Sequence, residues 1–159
     1  MSKYITTTLS ITSNTYTATS NPGPTTSPLA VSVSNLLDVT EVSSKIVDLG
    51  TVADPTIHKL LWDASDYFTT NADFGVDGGF LYFRNLLSEN STPDTLHDIV
   101  IGTLDGDMDT ADLATRWFTL QPGEFAWMPW DFTNDIYADP QEINAGALET
   151  ILFVRTTTV

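Results

Sequence analysis

The chain has 159 residues, no cysteine, and six Lys plus Arg against twenty-one Asp plus Glu, a formal net charge of −15. Without cysteine there is no disulfide, no thiolate metal site and no cysteine nucleophile. With so few basic groups there is little to neutralise the phosphates of a nucleic acid or the headgroups of an anionic membrane, so neither is expected as a partner. A chain of this length is most simply one domain, and it buries roughly 68–70% of the surface its unfolded form exposes. The opening MSKYITTTLS has no apolar run behind its lysine and does not read as a secretory signal. No stretch approaches the ~20 apolar residues a membrane helix needs.

In chain order, Ile5, Thr7, Leu9 and Ile11 alternate with Thr6, Thr8, Ser10 and Thr12. This period of two, rich in β-branched residues, predicts a strand with one modestly apolar face. Asn21-Pro22-Gly23-Pro24 breaks it, and Pro28 closes the link. Residues 1–28 are either the first strand and loop of the domain or an arm that adds a strand to a neighbouring subunit. Residues 29–159 form the remaining β domain. Strands are predicted at Leu29–Val33, Ser43–Thr51, Ile57–Trp62, Phe80–Leu87, Asp98–Leu104, Arg116–Leu120, Glu124–Trp130 and Leu148–Thr157. Turn signals separate them, among them Asp77-Gly78-Gly79, Asp105-Gly106 and Gln121-Pro122-Gly123. One helical turn is expected at Thr110–Arg116, capped by Asp109 or Thr110. The pattern is that of an all-β protein, a jelly-roll-like β-sandwich of about eight to ten short antiparallel strands with an extended Ser/Thr-rich N-terminal segment.

Three of these strands are apolar on both faces, so one face of each needs a cover. In Leu148–Val154, Leu148, Leu152 and Val154 oppose Ile151 and Phe153; the run Phe80-Leu81-Tyr82-Phe83 is apolar throughout. In Glu124–Trp130, Phe125 and Trp127 oppose Ala126, Met128 and Trp130. Phe125 and Trp127 are expected in the core, where truncation to alanine costs on the order of 3–5 kcal/mol. Met128, Trp130 and Phe132 are expected on a surface covered by a partner, with the ladder ending or bulging at Pro129. Ile5, Leu9 and Ile11 are the matching contact residues on the N-terminal segment.

Candidate chemistry is sparse. Asp105, Asp107 and Asp109, followed by Asp112, resemble the start of a calcium loop, since hard cations take several oxygen ligands. The sixth position is Thr110 where an EF-hand has glycine, and the twelfth is Arg116 where it has glutamate. The plainer reading is an acidic solvated turn. A second acidic stretch holds Asp63, Asp66, Asp73 and Asp77, and reads as a long exposed loop. His58 and His97 belong to no metal or hydrolase motif, and no Gly-rich phosphate loop is present. Asn90-Ser91-Thr92 matches a glycosylation sequon. No catalytic residue and no cofactor is assigned; Ca²⁺ is the one ion for which a candidate site exists.

The order of pieces resembles a group of small virion structural proteins of tailed bacteriophages, especially marine, cyanophage-like ones. The matching pieces are ITTTLSITSN, the Pro-Gly-Pro break, VSSKIVDLGT, DGGFLYFRN, DIVIGT, LQPGEFAWMPWDFTNDIYAD and LETILFVR. A Gly-Glu-Phe turn into an aromatic strand, followed by a short Ile-Tyr-Ala strand, is the shared signature. The resemblance spans nearly the whole chain and carries over no catalytic residue. It implies a β-sandwich or jelly-roll subunit on the exterior of a capsid or tail. The expected function is that of a non-enzymatic decoration or cement-type protein. Its expected partners are itself, as a homotrimer, and the phage major capsid protein or another virion protein. The alternative is a receptor- or glycan-binding module of a tail or fibre, with Trp117, Trp127, Trp130 or Tyr137 stacking on sugar rings.

Overall fold

The computed structural model describes residues 3–12, 30–50, 58–68, 78–87, 97–103, 114–140 and 146–155. They form β1 (Lys3–Thr12), β2 (Ala30–Gly50), β3 (Lys59–Trp62), α1 (Ser65–Phe68), β4 (Gly79–Asn85), β5 (Ile99–Gly102), β6 (Arg116–Leu120), β7 (Phe125–Trp130), β8 (Ile136–Pro140) and β9 (Gly146–Arg155). Among the described residues the protein is therefore all-β, with one short helical turn. The described helix is Ser65–Phe68; of the turn expected at Thr110–Arg116, Arg116 opens β6 and residues 110–113 lie outside the described residues. Asp63 starts the helix by accepting from both the amide and the hydroxyl of Ser65, at 2.8 and 2.6 Å.

By packing, the chain divides within β2, between Val39 and Thr40. The Pro-Gly-Pro link lies outside the described residues. The first unit is a two-stranded antiparallel ribbon. β1 pairs with the start of β2 without a break from Lys3↔Val39 to Thr12↔Ala30. Tyr4, Leu9, Val33 and Leu36 are exposed on it, and Ile5 is half-buried. β2 itself is one strand of 21 residues where two separate strands were expected. Its middle, Asn35 to Ser44, stays extended instead of turning, with Leu37 and Val39 buried.

The second unit contains two antiparallel sheets, ordered β2-β9-β4-β7 and β3-β8-β5-β6. Period-two alternation delivers the core. β9 buries Leu148, Thr150, Leu152 and Val154, and β4 buries Leu81, Phe83 and Asn85. These meet Leu61 and Trp62 of β3, Ile99 and Ile101 of β5, and Ile136 and Ala138 of β8 in one buried cluster. A polar pin crosses it, the Trp62 Nε1 donating to Thr150 Oγ1 at 2.9 Å. Without such a partner a buried indole N–H is costly. β8 coincides with the Ile136-Tyr137-Ala138 strand of the resemblance.

The faces of β7 are the reverse of those expected. Trp130 and Phe132 are 4% exposed and belong to the chain's own core, whereas Phe125 is 62% and Trp127 37% exposed. Met128 is half-buried and packs on the core. The register explains the inversion: Leu81 and Phe83 of β4 face inward, and their cross-strand partners are Met128 and Ala126. Residues opposite each other share a face, so Phe125 and Trp127 must point outward with Tyr82 and Arg84. Pro129 does not end the ladder, which runs on through Phe80↔Pro129 and Gly79↔Trp130. β7 has a single neighbour, so a residue lacking N–H is tolerated there.

Candidate partner-binding face

The outward face of β9, β4 and β7 is built from cross-strand pairs. Phe80 lies between Pro129 and Phe153, Tyr82 between Trp127 and Ile151, and Arg84 between Phe125 and Glu149. The rings are in contact. Phe80 stacks on Trp127 at 5.3 Å between centroids, Trp127 meets Phe153 at 5.1 Å, and Tyr82 stacks on Phe125 at 6.2 Å. The Arg155 guanidinium lies 4.4 Å from the Phe80 ring centre, within reach of the ring's negative face. Burial, and after it the charge of Glu149, raises the Tyr82 phenol above its ordinary pKa, so it remains a neutral hydrogen-bond donor.

An aromatic surface of this kind is unusual for a chain so acidic. Two arginines and one glutamate flank the rings, while the chain as a whole carries −15. Water leaves such rings readily, and the local charge does not oppose an acidic partner. Phe125 gives the cleanest measure of how little this face stabilises the isolated chain. Phe125→Ala is expected to cost about 1 kcal/mol, read by urea denaturation, because its ring is mostly solvated and contributes chiefly one stacked pair.

Next to the face, the segment after β7 is held rigidly. The Trp130 Nε1 donates to the Asn134 carbonyl at 3.0 Å. The Asp131 carboxylate accepts from Thr133 N and Oγ1 at 3.1 and 2.6 Å, which holds its pKa below the ordinary aspartate range. Between them Phe132 adopts φ 62, a left-handed conformation that bulky residues rarely take. Its ring is fixed by Trp130 at 4.8 Å and Tyr67 at 5.4 Å. Neither Trp130 nor Phe132 is available to a partner.

The remaining sequence candidates divide as follows. Leu9 is exposed on β1, Ile5 is half-buried there, and the side chain of Ile11 lies outside the described residues. Asp105, Asp107 and Asp109 lie outside the described residues, as do Asp73, Asp77 and the Asn90 sequon. Among the described residues no three acidic or histidine side chains gather as a metal site. Trp117 and Trp127 are part-exposed at 36% and 37%. A shallow depression of about 360 Å³ is lined by Trp117, Met128, Asp131 and Arg155 among others.

The fold and the site thus define an all-β protein of two antiparallel sheets with an uncovered aromatic face. No family model matches the chain, and neither a curated protein nor a solved structure matches it.

Proposed function

We propose that this chain is a non-enzymatic virion structural protein of a tailed bacteriophage, a capsid decoration or cement-type subunit with a jelly-roll β-sandwich and an extended N-terminal segment. It associates with like subunits, as a trimer, and with the major capsid protein or another protein on the particle exterior. The observation that carries this reading is the stacked aromatic face of Phe80, Tyr82, Trp127 and Phe153, which is built for cover and not for catalysis. The resemblance of ITTTLSITSN, DGGFLYFRN and LQPGEFAWMPWDFTNDIYAD to marine phage virion proteins supports it. The acidity of the rest of the chain favours a soluble display surface and disfavours packaged DNA.

Tyr82→Lys tests the reading. It places a second charge amid the rings and leaves the buried face of β4 untouched. Sedimentation velocity on the unaltered protein is expected to show an oligomer at micromolar concentration, and the variant is expected to associate at least tenfold more weakly. Circular dichroism reports whether the fold is kept. An unaltered protein that stays monomeric at 100 µM overturns the self-association. The part-exposed Trp117 beside Asp131 and Arg155 favours a second reading, a glycan-binding tail or fibre module. A shift of tryptophan emission with host polysaccharide, and none with capsids, decides for that module.

A further inference from the structure

Among the described residues β6 and β7 are each the last strand of their sheet, β6 bonded to β5 and β7 to β4. The Gln121–Glu124 turn joins them, so both sheets end along one margin. An open cleft of about 530 Å³ lies there, lined by Phe118, Leu120, Phe125 and Ala126 among others. The core is thinly covered on this side: Phe118, Ala126 and Met128 pack against the buried cluster yet remain half-exposed.

The backbone at this margin is unpaired in a readable order. The Asn85 amide donates to the Glu124 carbonyl at 3.0 Å. Hydrogen-bonded pairs therefore recur at Phe83↔Ala126, Leu81↔Met128 and Gly79↔Trp130. The groups of Phe125, Trp127 and Pro129 point the other way, presenting two N–H and three C=O groups at the margin. Within Phe125–Trp130 β7 has neither lysine nor bulge to protect its edge. Pro129 blunts only its far end.

We propose that the β7 edge accepts β1 of a second copy of this chain by strand addition. This rests on the self-association proposed above and names the contact. β1 is ten residues long and, among the described residues, is bonded to β2 alone, with its other edge open. Its alternation suits the acceptor. Ile5 and Leu9 lie on one face and cover the half-exposed Phe118, Ala126 and Met128, while Tyr4 and the hydroxyls of Thr6 and Thr8 lie on the other and extend the aromatic surface. Charge agrees as well: β1 carries Lys3 and no carboxylate, and β7 is bracketed by Glu124 and Asp131. Each copy offers one donor and one acceptor edge, so the contact is head-to-tail, and a trimeric ring forms where the rotation between copies closes.

The absence of cysteine makes the test clean. Ala126→Cys is mixed with Ile5→Cys or Leu9→Cys, each a single-cysteine full-length chain. An intermolecular disulfide is expected at least tenfold faster than in mixtures where Lys59→Cys, on the far edge strand β3, replaces Ala126→Cys. Equal rates overturn the proposal. In a second arm, Ala126→Lys plants an inward charge at the acceptor edge, and deletion of residues 2–12 removes the donor. Each alone is expected to weaken association at least tenfold, while their mixture forms a one-to-one complex, since each keeps the half the other lacks. No complex in that mixture overturns the proposal. Association lost in Tyr82→Lys but kept in Ala126→Lys and in the deletion overturns the strand addition and leaves the aromatic-face reading standing. A monomeric unaltered protein overturns that reading and the strand addition with it.

Discussion

Trp130→Ala is expected to lower the free energy of unfolding by about 3–5 kcal/mol, measured by urea denaturation followed by circular dichroism. Three separate losses add up at this position. The indole is 4% exposed and fills the space beside Phe132 and Tyr67, at 4.8 and 5.9 Å between ring centres. Its removal leaves a cavity that the strained Phe132 backbone cannot relax to fill, because Asp131 and Thr133 hold that turn. It also strips the Asn134 carbonyl of its donor. Had Trp130 been a partner surface, the isolated chain would lose little and the assembly much. A loss below about 1 kcal/mol, within the range of ordinary surface substitutions, would contradict its place in the core.

Asn85→Leu is the second large effect, expected at about 3–4 kcal/mol by the same measurement. Asn85 ends β4 fully buried, and its side chain ties β4 of one sheet to the β5–β6 pair of the other, which no ladder does. Its Nδ2 donates to the His97 carbonyl at 2.9 Å and the Leu120 carbonyl at 3.2 Å, and its Oδ1 accepts from the Leu87 amide at 3.1 Å. The side chain thereby links the approach to β5, the end of β6 and the exit of β4. Leucine fills the volume and satisfies none of these groups. Asn85→Asp discriminates packing from hydrogen bonding. The new carboxylate would face two carbonyl oxygens, so its folded-state pKa rises above the unfolded value. Stability is then expected to be lowest above that raised pKa and to recover as the pH falls through it and the carboxyl becomes a donor.

Most strand positions are legible in the sequence, including β4, β5 and β7 with apolar residues on both faces; the continuity of β2 and the inward face of β7 are not. β6 stands at Arg116–Leu120 as its turn signals required, and the alternation of β9 correctly separates Leu148, Leu152 and Val154 from Ile151 and Phe153. β2 reads as two strands because its middle sets Leu36, Leu37, Val39 and Val42 among Asn35, Asp38 and Glu41 on both faces, so the buried Leu37 and Val39 stand in no sustained hydrophobic period. β7 was read with its faces exchanged. Phe125 and Trp127 are bulkier than Ala126 and Met128, and bulk alone favours the core. Register decided otherwise, because β4 sends Leu81 and Phe83 inward and so draws Ala126 and Met128 with them. One local signal was present: Asp131-Phe132-Thr133 has the Asx-turn spacing that folds Phe132 back beside Trp130. The aromatic face was legible as an excess of apolar residues, but its membership depended on pairings that lie far apart in the chain. Asn85 gave no sign at all, since its partners are backbone carbonyls.

The four tryptophans fall into two pairs with different surroundings. Trp62 and Trp130 are 6% and 4% exposed, while Trp117 and Trp127 are 36% and 37% exposed. The molecule therefore carries its own optical probes for two distinct events. Unfolding moves the first pair from apolar surroundings into water and shifts their emission to the red. The assembly proposed above would act on the second pair, which acrylamide reaches in a free chain and which a docked neighbour would shield. Quenching that declines with concentration, at constant emission from the buried pair, separates association from any change of fold without a label or a tag.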